Sequence, residues 1–245
     1  MLGKKQSISN DDWLAAFPLI KNIVPEHEII KLEADTIKDI KEKTAGKKAA
    51  YGWSGGKDSI VLGALCRKAG IHDCLLAVCN LEYPVFMDWL IANQPEGLEI
   101  INTGQDMEWL IAHPEMLFPD AGKSDPDRRR KAAALTNKWF AIVQHRAQTK
   151  YFVERNLDVL VIGRRKADGN FIGKGGNIYT NGKGVTRFSP LAYWKHEQIL
   201  AYIAYYSLAM PPIYSWPNGY KCGTHPWPAR QWIDSIEGEI GRAHV

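Results

Sequence analysis

The chain of 245 residues is predicted to form an α/β fold, a doubly wound and mostly parallel sheet with helices on both faces. Two observations favour this class. Short apolar runs alternate with segments that carry apolar residues at helical spacing, as in successive strand–helix units. At one strand-to-helix junction, residues 53–59, two adjacent glycines separate the strand from the helix, which is typical of anion-binding turns.

Three regions are predicted along the chain. Residues 1–47 are expected to form a helical N-terminal extension, in which Ser9 caps a first helix that ends at Pro18 and a second helix runs from Pro25 to Gly46. Residues 48–210 are expected to form one nucleotide-binding α/β domain. Residues 211–245, rich in Pro, Trp and Gly, predict an irregular and flexible C-terminal tail.

Within the central domain each apolar run is predicted to be a strand that leads into a helix. The strands are expected near residues 49–53, 74–78, 98–101 and 158–162, and the helices near 58–69, after 84, from about 106, over about 127–155 and over about 195–208. A Gly-, Asn- and Lys-rich stretch, residues 170–184, contains a hairpin-like turn at 179–182 and predicts a mobile basic flap. Since ligands of such sheets bind at the carboxyl ends of the strands, we expect the site there.

Composition narrows the functional classes. The net charge of +4, from 31 basic and 27 acidic residues, is too mild to indicate nucleic-acid binding by itself. No apolar run is long enough to span a bilayer and no secretory signal is visible, so we expect a cytoplasmic protein without a membrane partner. The four cysteines form no C-x-x-C pair, which argues against a disulfide scaffold, a zinc site and an iron–sulfur cluster. Three of them lie in apolar surroundings typical of buried thiols.

The glycine turn is the strongest functional signal. Its backbone N–H groups and the helix dipole would point at an anion, and serine hydroxyls and a lysine would add donors and charge. Asp58, in the first helical turn, would cap backbone donors or face a metal or a ribose. The turn therefore predicts the oxyanion of a nucleotide as ligand, held by Ser54, Gly55, Gly56, Lys57, Asp58 and Ser59.

This S-G-G-x-D-S turn resembles the PP-loop of the adenine nucleotide alpha hydrolase-like superfamily, and it lacks the spacing of a Walker A loop. The superfamily includes ATP pyrophosphatases and phosphoadenosine-phosphosulfate (PAPS) reductases. Gly163, Arg165 and Asp168 match the G-x-R-x-x-[DE]-S pattern of the reductases, with Gly169 in place of the serine. The resemblance implies that Gly163, Arg165 and Lys166 contribute to phosphate binding.

A second match to the reductases lies in the tail. Cys222, Gly223 and His225 resemble their E-C-G-[IL]-H motif, whereas Lys221 and Thr224 depart from it. In that family the cysteine thiolate attacks the sulfur of PAPS, and a thioredoxin-type thiol then releases sulfite from the S-sulfonate. The resemblance implies that Cys222 is the nucleophile, with His225 as its electrostatic support. It also implies an adenine nucleotide substrate, a thioredoxin-type reductant, no resident cofactor and no iron–sulfur cluster.

Two other functions remain open at this point. A PP-loop ATP pyrophosphatase would cleave ATP between its alpha and beta phosphates and adenylate a second substrate for sulfur transfer or amidation, with Mg²⁺ facing Asp58. A non-catalytic module would bind a nucleotide or a nucleic acid through the basic flap. The sequence leaves the true substrate (PAPS, APS or ATP), the reductant and the oligomeric state undetermined.

Overall fold

The computed structural model describes residues 8–116, 134, 137–216 and 219–224, with the backbone alone at 115, 221 and 222. Its centre is a six-stranded sheet of order β3-β2-β1-β4-β6-β5. The strands are β1 (Ala49–Gly52), β2 (Cys74–Val78), β3 (Leu98–Asn102), β4 (Val159–Val161), β5 (Ile178–Thr180) and β6 (Thr186–Phe188). All neighbouring pairs are parallel except β5 and β6, which are antiparallel. The predicted α/β class is confirmed.

The order of the sheet locates a crevice. The connections run outward from β1 through β2 to β3 in one direction, and β4 lies on the other side of β1. The carboxyl ends of β1 and β4 therefore form a topological switch point, where open α/β sheets bind ligands. Residues 181–185 join the antiparallel strands β5 and β6, so the predicted turn at 179–182 overlaps the connection but begins inside β5. The two strands themselves were not predicted. Strands of three residues are too short to show alternation of apolar and polar residues, and β5 and β6, unlike β4, do not lie in a continuous apolar run.

Helices cover both faces of the sheet. They are α1 (Asn10–Ala16), α2 (Ile20–Ile23), α3 (Glu26–Thr44), α4 (Lys57–Lys68), α5 (Pro84–Asn93), α6 (Met107–Ala112), α7 (Arg146–Glu154), α8 (His196–Tyr205) and α9 (Gly219–Cys222). The described part of the predicted 127–155 helix starts α-helical, passes through a π-helical turn at Ala141–His145 and continues as α7. No helix in the described ranges is long and apolar enough to cross a bilayer.

The N-terminal helices belong to the main core. Ser9 caps α1 as predicted: its hydroxyl accepts the Asp12 amide, and the Asp12 carboxylate accepts the Ser9 amide. The first helix ends close to Pro18, as predicted, since α1 stops at Ala16. Pro18 lies in a 3₁₀ turn between α1 and α2, because proline lacks only the amide that the first residues of a helix leave unused. Side chains of α1 to α3, among them Trp13, Ile20 and Ile40, join the apolar cluster that packs under α4 and α8.

The start of the C-terminal tail is packed against α1. The Asn10 side chain donates to the Trp216 carbonyl over 3.0 Å and accepts the Tyr220 amide over 2.8 Å. The rings of Trp13 and Tyr220 stack with centroids 6.1 Å apart. Residues 211–216 and 219–224 are therefore held on the body of the protein, close to the crevice.

Candidate active site

The glycine turn lies where the sequence predicted it, between the end of β1 at Gly52 and the start of α4 at Lys57. Its two serines form hydrogen bonds inside the turn. The Ser59 hydroxyl donates to the Gly56 carbonyl over 2.8 Å and accepts the Ser54 amide over 3.0 Å, and the Ser54 hydroxyl lies 3.2 Å from it. These bonds hold the loop in one shape at the switch point, which is how a preorganised anion cup is built.

Gly55 is required for two reasons. Its φ of +65° is left-handed, and a Cβ there would lie only 2.7 Å from Phe86 Cε2 and 3.1 Å from Trp89 Cζ3. The aromatic side chains of α5 thus pack directly against the turn. A larger residue would have to displace them or the loop itself.

We expect Gly55→Ala to lower the free energy of unfolding by about 1–3 kcal/mol more than Gly46→Ala does. Gly46 is a matched control, because its φ of +68° is nearly the same and a Cβ there would meet no atom within 4 Å. Urea unfolding measures the difference, and calorimetric titration with adenine nucleotide should show weaker binding for Gly55→Ala alone. Equal losses for the two variants would contradict the contact with Phe86.

Three charged residues meet at the start of α4. Asp58 Oδ2 is 2.7 Å from Lys57 Nζ, and Asp58 Oδ1 is 2.8 Å from Arg165 Nε. The two cations are nearly inaccessible to solvent, with Lys57 3% and Arg165 0% exposed. Asp58 therefore balances two buried positive charges.

Arg165 connects this carboxylate to the β4 side of the crevice. Its Nη2 lies 3.0 Å from Asp168 Oδ2 and 2.8 Å from His196 Nδ1, and its Nη1 donates to the Trp194 carbonyl. Since a guanidinium only donates, the His196 Nδ1 must be the acceptor in this contact. The fold therefore brings Arg165 next to the loop that is predicted to bind phosphate. The guanidinium contacts the loop side of the crevice through the Asp58 carboxylate.

Gly163 and Lys166, the other two residues predicted to bind phosphate on this segment, lie in different surroundings. Gly163 packs against the first turn of α4: a Cβ there would lie 3.5 Å from the Asp58 carbonyl carbon. Lys166 is exposed, and its Nζ lies 5.5 Å from the centre of the Tyr193 ring. Gly163 thus lies at the loop, whereas Lys166 lies over the Tyr193 ring.

A small cavity adjoins the loop. Its volume of about 20 Å³ is enough for about one water molecule, and its walls include Ser54, Glu82, Phe86, Trp139 and Thr224. Glu82 follows the carboxyl end of β2 and accepts the Cys79 amide over 3.2 Å. Burial raises the pKa of Glu82 to about 8, so the carboxyl group is largely protonated at neutral pH. Sequence reasoning had placed this strand end in the crevice without assigning Glu82 a role, because its burial depends on the aromatic residues that surround it.

The raised pKa of Glu82 predicts a pH dependence of stability. Its pKa in the folded state, about 8, is above the ordinary 4.5, so folding favours the protonated form. The free energy of unfolding should therefore fall as the pH rises from about 4.5 to about 8. Glu82→Gln should remove this decline and be more stable than the parent at pH 8, with no advantage below pH 4.5. Urea midpoints across this range test it, with exposed Glu96→Gln as control; parallel curves for Glu82→Gln and the parent would refute it.

The family model of the phosphoadenosine phosphosulfate reductase domain matches residues 48–221, which is well over half of the chain. The chain belongs to this family. The predicted resemblance is thereby confirmed.

Solved structures share the fold of this PAPS reductase family member. A PAPS reductase from Candida auris has a TM-score of 0.52 and 15% identity, with 83% of this chain and 96% of that chain covered. An NAD⁺ synthetase from Burkholderia pseudomallei has a TM-score of 0.51 and 18% identity, with 94% and 86% covered. No curated protein sequence matches the chain. At these identities the structural likeness establishes the fold alone.

In this family member the tail contacts the loop directly. The Tyr214 hydroxyl accepts the Lys57 amide over 2.7 Å, and the Thr224 hydroxyl donates to the Ser54 carbonyl over 2.9 Å. The first amide of α4 is thus already paired with the tail. The backbone at Cys222 is two residues from the Thr224 contact, whereas the Cys222 side chain and His225 lie outside the described residues.

The other three cysteines are structural. Cys66, Cys74 and Cys79 are buried and free, as predicted. Burial raises the pKa of each thiol, to about 12 for Cys79. Because the thiolate is the reactive form, these three side chains are poor nucleophiles at neutral pH.

Proposed function

We propose that the protein reduces an adenylyl sulfate, PAPS in the first instance, to sulfite through an S-sulfonate on Cys222. The observation that carries this proposal is the contact of the tail with the loop, through Thr224 and Tyr214, which brings the Cys222 backbone to the predicted anion cup. Family membership supports it. So does the burial of the other thiols, since Cys222 is then the best candidate nucleophile of the four cysteines.

The proposed reaction has two steps. The Cys222 thiolate attacks the sulfur of the sulfate group, the bond between that sulfur and the phosphate oxygen breaks, and adenosine 3′,5′-bisphosphate leaves. A dithiol reductant of the thioredoxin type then attacks Cys222 Sγ, releases sulfite and resolves the mixed disulfide with its second thiol. The reductant is oxidised by two electrons and the sulfur is reduced by two.

Each predicted site residue has a place in this reaction. The amides of Gly55 and Gly56 and the hydroxyl of Ser54 would hold the phosphosulfate, with the charge of Lys57 beside it. Ser59 would keep the loop in shape, since its hydroxyl donates to the Gly56 carbonyl. Arg165 would act as a positioning residue, since its contact with Asp58 keeps that carboxylate from repelling the anion. Lys166 would attract the substrate from solvent, and His225 would favour the thiolate of Cys222.

The alternative function, an ATP pyrophosphatase, is less well supported, because the predicted Mg²⁺ ligand Asp58 is already paired with cations. Both carboxylate oxygens of Asp58 are within ion-pair distance of a cation, so this side chain does not fit the role of a Mg²⁺ ligand.

One experiment separates the candidate functions. The protein is incubated with PAPS, adenosine phosphosulfate and ATP in separate reactions with reduced thioredoxin, and the nucleotide product is identified by mass. We expect adenosine bisphosphate and sulfite from PAPS. AMP with sulfite from adenosine phosphosulfate alone would change the substrate, AMP with pyrophosphate from ATP would establish the pyrophosphatase, and binding without any product would establish a non-catalytic module.

A further inference from the structure

Positive charge is concentrated in one stretch of the chain. Residues 163–195 contain seven basic residues and one acidic residue, a larger excess of cations than the +4 of the whole chain. The acidic residue, Asp168, lies 3.0 Å from Arg165 Nη2 and is paired inside the protein. The exposed cations of this stretch are four lysines, namely Lys166, Lys174, Lys183 and Lys195.

The turn after β4 directs two of its cations outward. Arg165 is buried, and its backbone is extended, with φ of −127° and ψ of 147°. Because successive side chains of an extended segment point to opposite sides, the side chains of Arg164 and Lys166 lie on the side away from Arg165. Their burial agrees, since Arg164 is half-buried and Lys166 is exposed. Residues two apart in extended backbone are separated by about 6–7 Å, so these two cations are neighbours on one surface.

Each of these two cations is close to an aromatic ring that is open to solvent. Lys166 Nζ lies 5.5 Å from the centre of the Tyr193 ring, and Tyr193 is 64% exposed. Arg164 Nη1 donates to the Tyr179 hydroxyl over 2.9 Å. The Tyr179 ring packs edge-on with Phe171, which is 54% exposed, at a centroid distance of 4.9 Å. We name this surface, formed by Tyr193, Lys166, Arg164, Tyr179 and Phe171, the cation–aromatic face.

A cation–aromatic pair elsewhere in the protein provides a contrast. Lys68 Nζ lies 4.0 Å from the centre of the Tyr206 ring and also forms an ion pair with Glu33 at 2.7 Å. The charge of Lys68 is thus balanced within the chain. On the cation–aromatic face the two outer rings are more exposed than Tyr206, and neither cation forms an ion pair with a carboxylate in the part of the chain that the structure describes. Exposed rings and available positive charge in one patch indicate an interaction surface, whereas a single exposed apolar residue does not.

We propose that the cation–aromatic face binds single-stranded nucleic acid. The bases of a single strand stack on aromatic side chains, and basic residues attract the phosphates between them. Two exposed rings that flank two cations provide this combination. Lys174 and Lys183, which are exposed on the 170–184 stretch, extend the positive charge beyond the face. An acidic polypeptide would use the same cations but has no base to stack on the rings.

The test measures binding of labelled oligonucleotides to the full chain by fluorescence anisotropy. The probes are oligo-dT and oligo-U of about 12 nucleotides, which is within the site sizes of single-strand binding folds. They carry no terminal phosphate, and 5′-AMP is present in excess, so that binding at the glycine turn does not contribute. We expect binding that weakens as the salt concentration rises. The tighter of the two probes identifies the partner as DNA or RNA.

Variants of the face separate stacking from charge. Tyr193→Ala and Phe171→Ala should each weaken binding at least about fivefold, because each removes a ring on which a base stacks. Lys166→Gln should lower the slope of log affinity against log salt by about 0.7, the value for one phosphate contact on a single strand. Tyr206→Ala is the matched control, since it removes a partly exposed ring beside a lysine outside the face, and it should bind as the parent does.

Three results would overturn the proposal. The first is no binding of either probe at low salt. The second is parental affinity in both Tyr193→Ala and Phe171→Ala. The third is displacement of the probe by poly-glutamate as effectively as by unlabelled oligonucleotide at the same concentration of charge, which would assign the face to an acidic polypeptide. The proposal does not depend on the proposed function, because neither PAPS nor Cys222 takes part in the measurement.

Discussion

Cys222→Ser is expected to lower the rate of sulfite formation from PAPS by at least about 10³-fold. A serine hydroxyl is far less ionised than a thiol at neutral pH, so it cannot form the S-sulfonate. The buried cysteines cannot replace Cys222, since burial raises their pKa and keeps them in the thiol form. Sulfite is measured with PAPS and reduced thioredoxin, and mass spectrometry without reductant locates the added SO₃ group.

Cys79→Ala is the matched control for this prediction. Cys79 directly follows β2 and its amide donates to Glu82, which lines the small cavity beside the glycine turn, but its thiol is buried. The variant should keep the S-sulfonate on Cys222 and most of the activity. Sulfite production at the parental rate in Cys222→Ser, or loss of activity in Cys79→Ala at parental stability, would reject the role of Cys222.

Asp58→Asn is expected to have the largest effect on stability. The substitution keeps the shape of the side chain and removes its charge, so Lys57 and Arg165 lose the carboxylate that they share. Breaking a buried pair costs about 3–5 kcal/mol, and we expect a value near the lower end because the Asp58 side chain is 25% exposed. Urea unfolding at neutral pH measures the change.

Glu99→Gln provides the comparison for Asp58→Asn. It breaks the ion pair with Arg155, whose side chain is 57% exposed, and should lower the free energy of unfolding far less than Asp58→Asn does. A double-mutant cycle of Asp58→Asn with Arg165→Gln isolates the pair itself, and we expect a coupling of about 1–3 kcal/mol. Similar losses for Asp58→Asn and Glu99→Gln, with no coupling in the cycle, would show that Asp58 does not balance the buried cations.

Much of the fold could be predicted because it depends on local patterns. The apolar runs of β1 to β4 are bounded by glycines and polar residues, and the helices that follow them carry apolar residues at helical spacing. The cap at Ser9 and the glycine turn before α4 are likewise local, because their geometry is set by a few adjacent residues. The strands β5 and β6 and the π-helical turn could not be predicted, since short hydrogen-bonded segments depend on their neighbours in space.

The candidate site shows the same division. The sequence by itself determined that a glycine turn follows β1 and that a cysteine motif lies in the tail, because each is a short run of adjacent residues and glycine allows the left-handed backbone wherever it stands. Only the tertiary structure decided which groups form ion pairs and hydrogen bonds with each other. Asp58 pairs with Arg165, Thr224 donates to the Ser54 carbonyl, and Arg187 has no acidic partner among the described residues. These residues are far apart along the chain, and the charge state and burial of each depend on groups that only folding brings within a few ångströms.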